Sequence, residues 1–174
     1  CLRRARPQES DPYMDTLTPE GYATLCQWEG RRLYVYLDSG GAPTIGIGHL
    51  LTRAERSSGK LCIDGATVHY HHGLTLAQCD TLLGEDLAPV SGAIHVRVRV
   101  PLTPHQRDAL ILFTFNVGMA AFAGSTLLRL LNQEDYAAVP TQLRRWVYDN
   151  GVVVQGLRNR REAEIALWMQ GQSV

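Results

Sequence analysis

The run Ala109-Leu110-Ile111-Leu112-Phe113-Thr114-Phe115 constrains the fold more than any other stretch. It follows Thr103-Pro104-His105-Gln106, a capping box with proline at the first helical position, so it reads as a helix. That helix is apolar nearly all round, and such a helix has to be enclosed by other elements. Asn116-Val117-Gly118 ends it. The 174 residues, 45% of them hydrophobic, are enough to build that enclosure within one domain or a two-lobed small protein.

The rest of the chain supplies the enclosing elements. Residues 1–15 are polar and aperiodic and read as a flexible arm. Thr18-Pro19-Glu20 starts a helix, with Tyr22, Leu25, Cys26 and Trp28 as its apolar stripe, and Gly30 ends it. Glu29 therefore sits where a helix hands over to a loop. Residues 33–37 and 44–49 pair as a hairpin around the turn cluster 38–43. Its glycines, Gly46 and Gly48, mark bulges or a close approach. Residues 52–73 read as irregular, with a third strand near Leu61-Cys62-Ile63. Thr75-Leu76-Ala77-Gln78 opens a helix carrying Leu76, Cys79, Leu82, Leu83 and Leu87, which Pro89 and Gly92 are expected to bend or end. Ser125–Asn132 is a short helix. Residues 135–148 are helical in composition, with Pro140 limiting continuity. A loop or small hairpin spans 151–156, and Arg158–Met169 forms a last helix. The expected fold class is α+β. A small β lobe (about 30–74) and a helical lobe (16–29 plus 90–174) are joined by a spine helix, with a ligand cleft between them.

Lys plus Arg number 17, as do Asp plus Glu, so affinity for nucleic acid through a large basic face is not expected. No stretch approaches the roughly twenty apolar residues that span a bilayer. The chain begins with Cys1 rather than Met, so a trimmed chain is expected. A boundary of the cloned piece explains that; an export or anchoring segment upstream is the alternative. Cys1, Cys26, Cys62 and Cys79 contain no CxxC pair. One bridge is expected, and Cys62–Cys79 would close a short loop; free thiols at the helical Cys26 and Cys79 are the alternative.

Cleaving a glycosidic bond takes an acid for the leaving oxygen and a carboxylate for a water or for the sugar itself. Glu29 closes its helix against Trp28 and the core, surroundings that favour a protonated acid. Asp38 lies in a polar, glycine-rich turn, where a carboxylate stays ionised. Thr44 lies across the hairpin and its hydroxyl is placed to share a water with Asp38. Taken bare, two acids nine residues apart read equally as surface charges.

The string Glu29-Gly30-x-x-Leu33-x-x-Tyr36-x-Asp38-x-x-Gly41-x-x-Thr44-Ile45-Gly46-Ile47-Gly48-His49 resembles the active-site signature of the phage-type lysozymes, glycoside hydrolase family 24. Leu102-x-x-x-Gln106-x-x-Ala109-Leu110, Phe115-Asn116-x-Gly118, Phe122-x-x-Ser125-Thr126-Leu127 and Gly156-Leu157-x-x-Arg160-Arg161-x-x-Glu164 resemble its lambdoid branch. The likeness runs from about residue 18 to 170; segment 54–73 and the arm match nothing in the family. The resemblance implies a two-lobed lysozyme fold and a peptidoglycan muramidase that uses no metal or cofactor and inverts the sugar. By that likeness Glu29 is the general acid, while Asp38 and Thr44 hold the water. Inversion needs the carboxyls roughly 6.5–9.5 Å apart. The partner implied is the peptidoglycan glycan strand in the bacterial periplasm, met by a monomer.

Other residues carry a second reading each. Asn116 is a helix cap or, by the likeness, a sugar contact. His49, carried among the substrate-binding candidates, reads foremost as structural, hydrogen-bonded near the hairpin base or paired to an acid across the lobe, with catalysis as the alternative. Arg158, Arg160 and Arg161 near a helix start oppose the helix dipole, which points to anionic substrate groups, Arg158 foremost; pairing with Glu162 or Glu164 is the alternative. His69, His71 and His72 read as a solvated loop rather than metal ligands. Trp28, Trp146 and Trp168 read as core. A catalytically silent wall-binding domain is the rival function, which the presence of Glu29, Asp38 and Thr44 argues against.

Overall fold

The computed structural model describes residues 16–38 and 40–170; the expected arm and the thiol of Cys1 lie outside them. Helix α1 (Pro19–Glu29) starts as expected: the Thr18 side chain accepts from Gly21 N, and Gly30 closes it at φ 68°. A three-stranded antiparallel sheet follows, in the order β1 (Arg32–Leu37), β2 (Pro43–Gly46), β3 (His49–Leu50). The expected second strand is thus two strands, because the chain turns at Ile47-Gly48 and folds back, pairing Thr44 with Leu50 and Ile45 with His49.

Residues 52–73 hold the expected strand at Leu61-Cys62-Ile63, but the rest of the segment is regular rather than irregular. Thr52 and Glu55 form a full capping box for α2 (Arg53–Ser58). Strands β4 (Lys60–Ile63) and β5 (Ala66–His69) then pair around Asp64-Gly65. Both turn residues have positive φ, 51° and 70°, as a type I′ turn requires. The Asp-Gly signal was present in the sequence, hidden by its polar surroundings. The expected bridge is also absent: Cys26, Cys62 and Cys79 are free. Leu61 and Ile63 face the core, so strand alternation turns Cys62 outward, away from the buried Cys79.

Helix α3 (Leu76–Arg97) runs straight through Pro89 and Gly92 for 22 residues, about 33 Å. Pro89 is exposed, so the carbonyl it leaves unpaired can reach water. Leu82, Leu83 and Leu87 before it, and Val90 and Ile94 after it, hold both halves in one core. Helix α4 (Pro104–Val117) is the enclosed element: Asp108 to Thr114 are all buried, and it packs on α1, α3, α8 and α5 (Met119–Ala123). Helix α6 (Thr126–Leu131) follows, then a short 3-10 turn and α7 (Val139–Leu143). Pro140 lies in the first turn of α7, where a missing N–H costs nothing. Strands β6 (Tyr148–Asp149) and β7 (Val152–Val153) form a hairpin on Asn150-Gly151, and α8 (Gln155–Gln170) closes the fold.

Candidate active site

Glu29, Asp38 and Asn116 come together on one cleft of about 880 Å³, also lined by Trp28, Tyr36, Arg145, Trp146 and Arg160. Three separate parts of the chain build it: the end of α1 with β1, the last turn of α4, and the 145–160 segment. Trp28 and Trp146 are cleft walls, not only core; Trp146 also packs edge-on to Phe113, ring centroids 5.3 Å apart. Trp168 is core, with no exposure.

Glu29 is 19% exposed and bonds Arg160: Nη1 stands 2.7 Å from Oε1. Its surroundings are therefore ionic as well as apolar, a partner that spacing along the chain could not reveal across 131 positions. Gly48 backs the same carboxylate, at φ 76°; a Cβ there would stand 3.0 Å from Glu29 Oε2. Gly48→Ala should thus displace Glu29 and force a left-handed alanine, at roughly 1–2 kcal/mol. We expect kcat to fall by about tenfold or more with the fold kept. Wild-type kcat in a folded Gly48→Ala protein would show that the contact does not hold Glu29.

Asp38 Oδ1 accepts from Gly40 N (2.9 Å) and Ala42 N (2.8 Å), which fixes the carboxylate in its turn. Thr44 is nearly buried, pairs with Tyr36 across the sheet and donates to Ala42 O at 3.1 Å. It stands behind the cleft wall, with its hydroxyl proton already committed. Asn116 is exposed, and its Oδ1 accepts from Arg161 Nη2 at 2.6 Å, so its NH₂ is the half left for a ligand.

Two expected substrate contacts lie elsewhere. His49 is 11% exposed and held by carboxylates, Asp86 at 2.9 Å and Glu55 at 3.5 Å. It ties β3 to α2 and α3 and lines no part of the cleft. Arg158 lines an adjoining recess of about 750 Å³ with Arg144, Arg145, Tyr148 and Glu162. Arg145 and Tyr148 border both hollows. Because α8 starts at Gln155, Arg158 ends its first turn rather than opening it, and the helix dipole opposes its charge less than expected. Among the described residues no cluster of His, Cys, Asp or Glu is set to hold a metal ion.

Burial pulls the His49 pKa down, but the hydrogen bond and charge of Asp86, with Glu55 adding, raise it above the ordinary 6.5. A raised folded value means stability that is full below pH 6.5 and lost as pH rises through the folded pKa. Asp86→Asn should therefore cost about 1–2 kcal/mol near pH 6 and clearly less near pH 9. Urea unfolding at both pH values measures this, and an equal cost at both would remove the linkage.

A helix-enclosed core, a small antiparallel sheet and a cleft with two carboxylates fit a lysozyme-like glycoside hydrolase. A sequence profile described as phage lysozyme matches residues 26–164, and the chain belongs to that family. The SAR-endolysin of Escherichia phage Mu is 44% identical over 133 residues, covering 76% of this chain and 69% of the relative. The endolysin of Salmonella phage P22 is 42% identical over 133 residues, 76% of this chain and 84% of its own. Among solved structures, a P22 lysozyme mutant aligns with TM-score 0.72 at 39% identity, covering 88% of this chain and 98% of that one. The muramidase domain of SpmX from Asticaccaulis excentricus aligns with TM-score 0.69 at 30% identity, covering 88% and 97%. Membership makes this chain a peptidoglycan-hydrolysing lysozyme. No helix among the described residues is long and apolar enough to cross a membrane.

Proposed function

We propose that the protein hydrolyses the β-1,4 bond between N-acetylmuramic acid and N-acetylglucosamine, inverting the anomeric carbon. The observation that carries this reading is the pairing of Glu29 and Asp38 on one cleft, in unlike surroundings. Glu29 gives its proton to the leaving oxygen, and the Arg160 guanidinium faces the carboxylate that results. Asp38, with Oδ1 tied to two amides, takes the proton of a water through its other oxygen. Thr44, buried behind the cleft wall, supports the water site through the turn, its hydroxyl donating to Ala42 O beside the Asp38 carboxylate. Attack from the face opposite Glu29 inverts the sugar. Asn116 donates to a sugar amide or hydroxyl, and Arg158 takes carboxylates of the muramic substituent in the recess beside the cleft. The enzyme acts as a monomer on the periplasmic wall, where an open groove admits a long polymer.

The test is digestion of purified Gram-negative peptidoglycan, followed by turbidity and by mass spectrometry before and after borohydride reduction. Expected products end in reducible muramic acid. Reducible N-acetylglucosamine ends, or anhydro ends that borohydride leaves unchanged, would overturn the bond assignment.

A further inference from the structure

We propose that Glu164 is a positioning residue of the cleft: one buried carboxylate that sets two guanidiniums, Arg160 on Glu29 and Arg161 on Asn116. This rests on the roles proposed above for Glu29 and Asn116.

Glu164 lies on α8 with no exposure, one turn beyond both arginines. Its Oε1 is 3.1 Å from Arg161 Nη2 and 3.5 Å from Arg160 Nε. Each guanidinium then reaches outward to the cleft. Arg160 Nη1 is 2.7 Å from Glu29 Oε1, and its Nη2 donates to Leu112 O at 3.4 Å. Arg161 Nη2 donates to Asn116 Oδ1 at 2.6 Å, its guanidinium carbon 5.0 Å from the centre of the Phe113 ring. The acid end of α1 and the amide end of α4 are thus aimed from one point on a third helix.

Stability does not explain such a cluster. Desolvating these charges is costly, and apolar residues of similar volume often serve a core as well or better. Arginine's rigid fork, in contrast, fixes direction once two of its edges are engaged. Glu164 Oε1 faces Arg160 Nε at ion-pair distance, with no hydrogen bond between them, while Glu29 takes Nη1. Burial drives the Glu164 carboxyl up, to about 7, against the pull of Arg161 and Arg160; Glu29 adds to the rise. Burial also brings Arg161 down, to about 10. Arg161 and Arg160 from α8 and Glu29 from α1 are the charged groups that act on Glu164 among the described residues, while α4 brings the neutral Asn116 against Arg161.

The experiment compares wild type, Glu164→Gln and Glu164→Leu on soluble murein strands, measuring kcat, KM, Tm and the pH–rate profile. We expect kcat to fall by about tenfold or more in both variants. We also expect the Leu variant to melt no lower than the Gln variant. The alkaline limb of the Glu164→Gln profile should move to lower pH, because Arg160 then serves Glu29 alone. Folded variants with kcat within about twofold and an unmoved profile would overturn the proposal. Should neither variant melt cooperatively, Arg Nε–Hε NMR of the wild type decides. Signals of Arg160 and Arg161 that shift together with one titration support the clamp, and signals flat from about pH 5 to 9 overturn it. If the wild type releases no reducible muramic ends, the functional reading fails separately, and the NMR series still judges the clamp.

Discussion

Glu29→Gln is expected to end clearing of a murein suspension, with kcat lowered by roughly 10²–10⁴-fold and KM little changed. The substitution keeps the size of the side chain and removes the proton that the leaving sugar needs. It also leaves Arg160, 8% exposed, without its 2.7 Å carboxylate. A small loss of stability should therefore accompany the loss of rate, and Tm has to be read beside kcat. Asp38→Asn is the companion. Its oxygen can still accept from Gly40 N and Ala42 N, so the turn survives and only the base is lost. A loss of the same order in Asp38→Asn is expected, with a folded protein in both cases. Retention of more than about a tenth of wild-type kcat by Glu29→Gln would remove it as the general acid.

Glu29, Asp38 and Asn116 were legible as residues that could share one cleft because each sits at the end of a well-signalled element. Gly30 and Gly118 close the helices that bear the first and last, and the glycine-rich turn bears the second. The partners of these groups were not legible. Arg160 was visible as one of three basic residues near a helix start and as part of the Gly156–Glu164 motif, but its contact with Glu29 spans most of the chain. Pairing of His49 to an acid across the lobe was legible, but a string along β2 and β3 does not say that the acid is Asp86, on the spine helix. Local rules failed where tertiary burial overrode them. Pro89 breaks an isolated helix, yet α3 continues because apolar residues on both sides of it are locked in one core. Cys62 and Cys79 looked near enough to bridge until strand alternation turned one outward.

Gly21→Ala shows how far such burial can reverse a local rule. In an ordinary helix interior this change stabilises by about 0.5–1 kcal/mol. Here the new Cβ would stand 2.4 Å from Asp108 Oδ2 and 2.7 Å from its Cγ. Asp108 has no exposure and cannot swing into solvent. Its Oδ2 also accepts from Thr18 N at 3.0 Å and from the Thr18 hydroxyl, which in turn caps α1 through Gly21 N at 3.1 Å. Burial raises the Asp108 pKa despite those bonds, so this carboxylate already has little to spare if they stretch. Overpacking and weakened charge-assisted bonds together should make Gly21→Ala cost about 3 kcal/mol. Asp108→Ala clears the space, so the double variant should lose at least about 1 kcal/mol less than the two single costs combined. Urea unfolding of the four proteins measures that coupling; a stabilised Gly21→Ala, or strict additivity, would show that the two side chains do not compete. Below the melting transition kcat should stay within about twofold of wild type, because Arg160 and Gly48 hold Glu29 at the other end of α1.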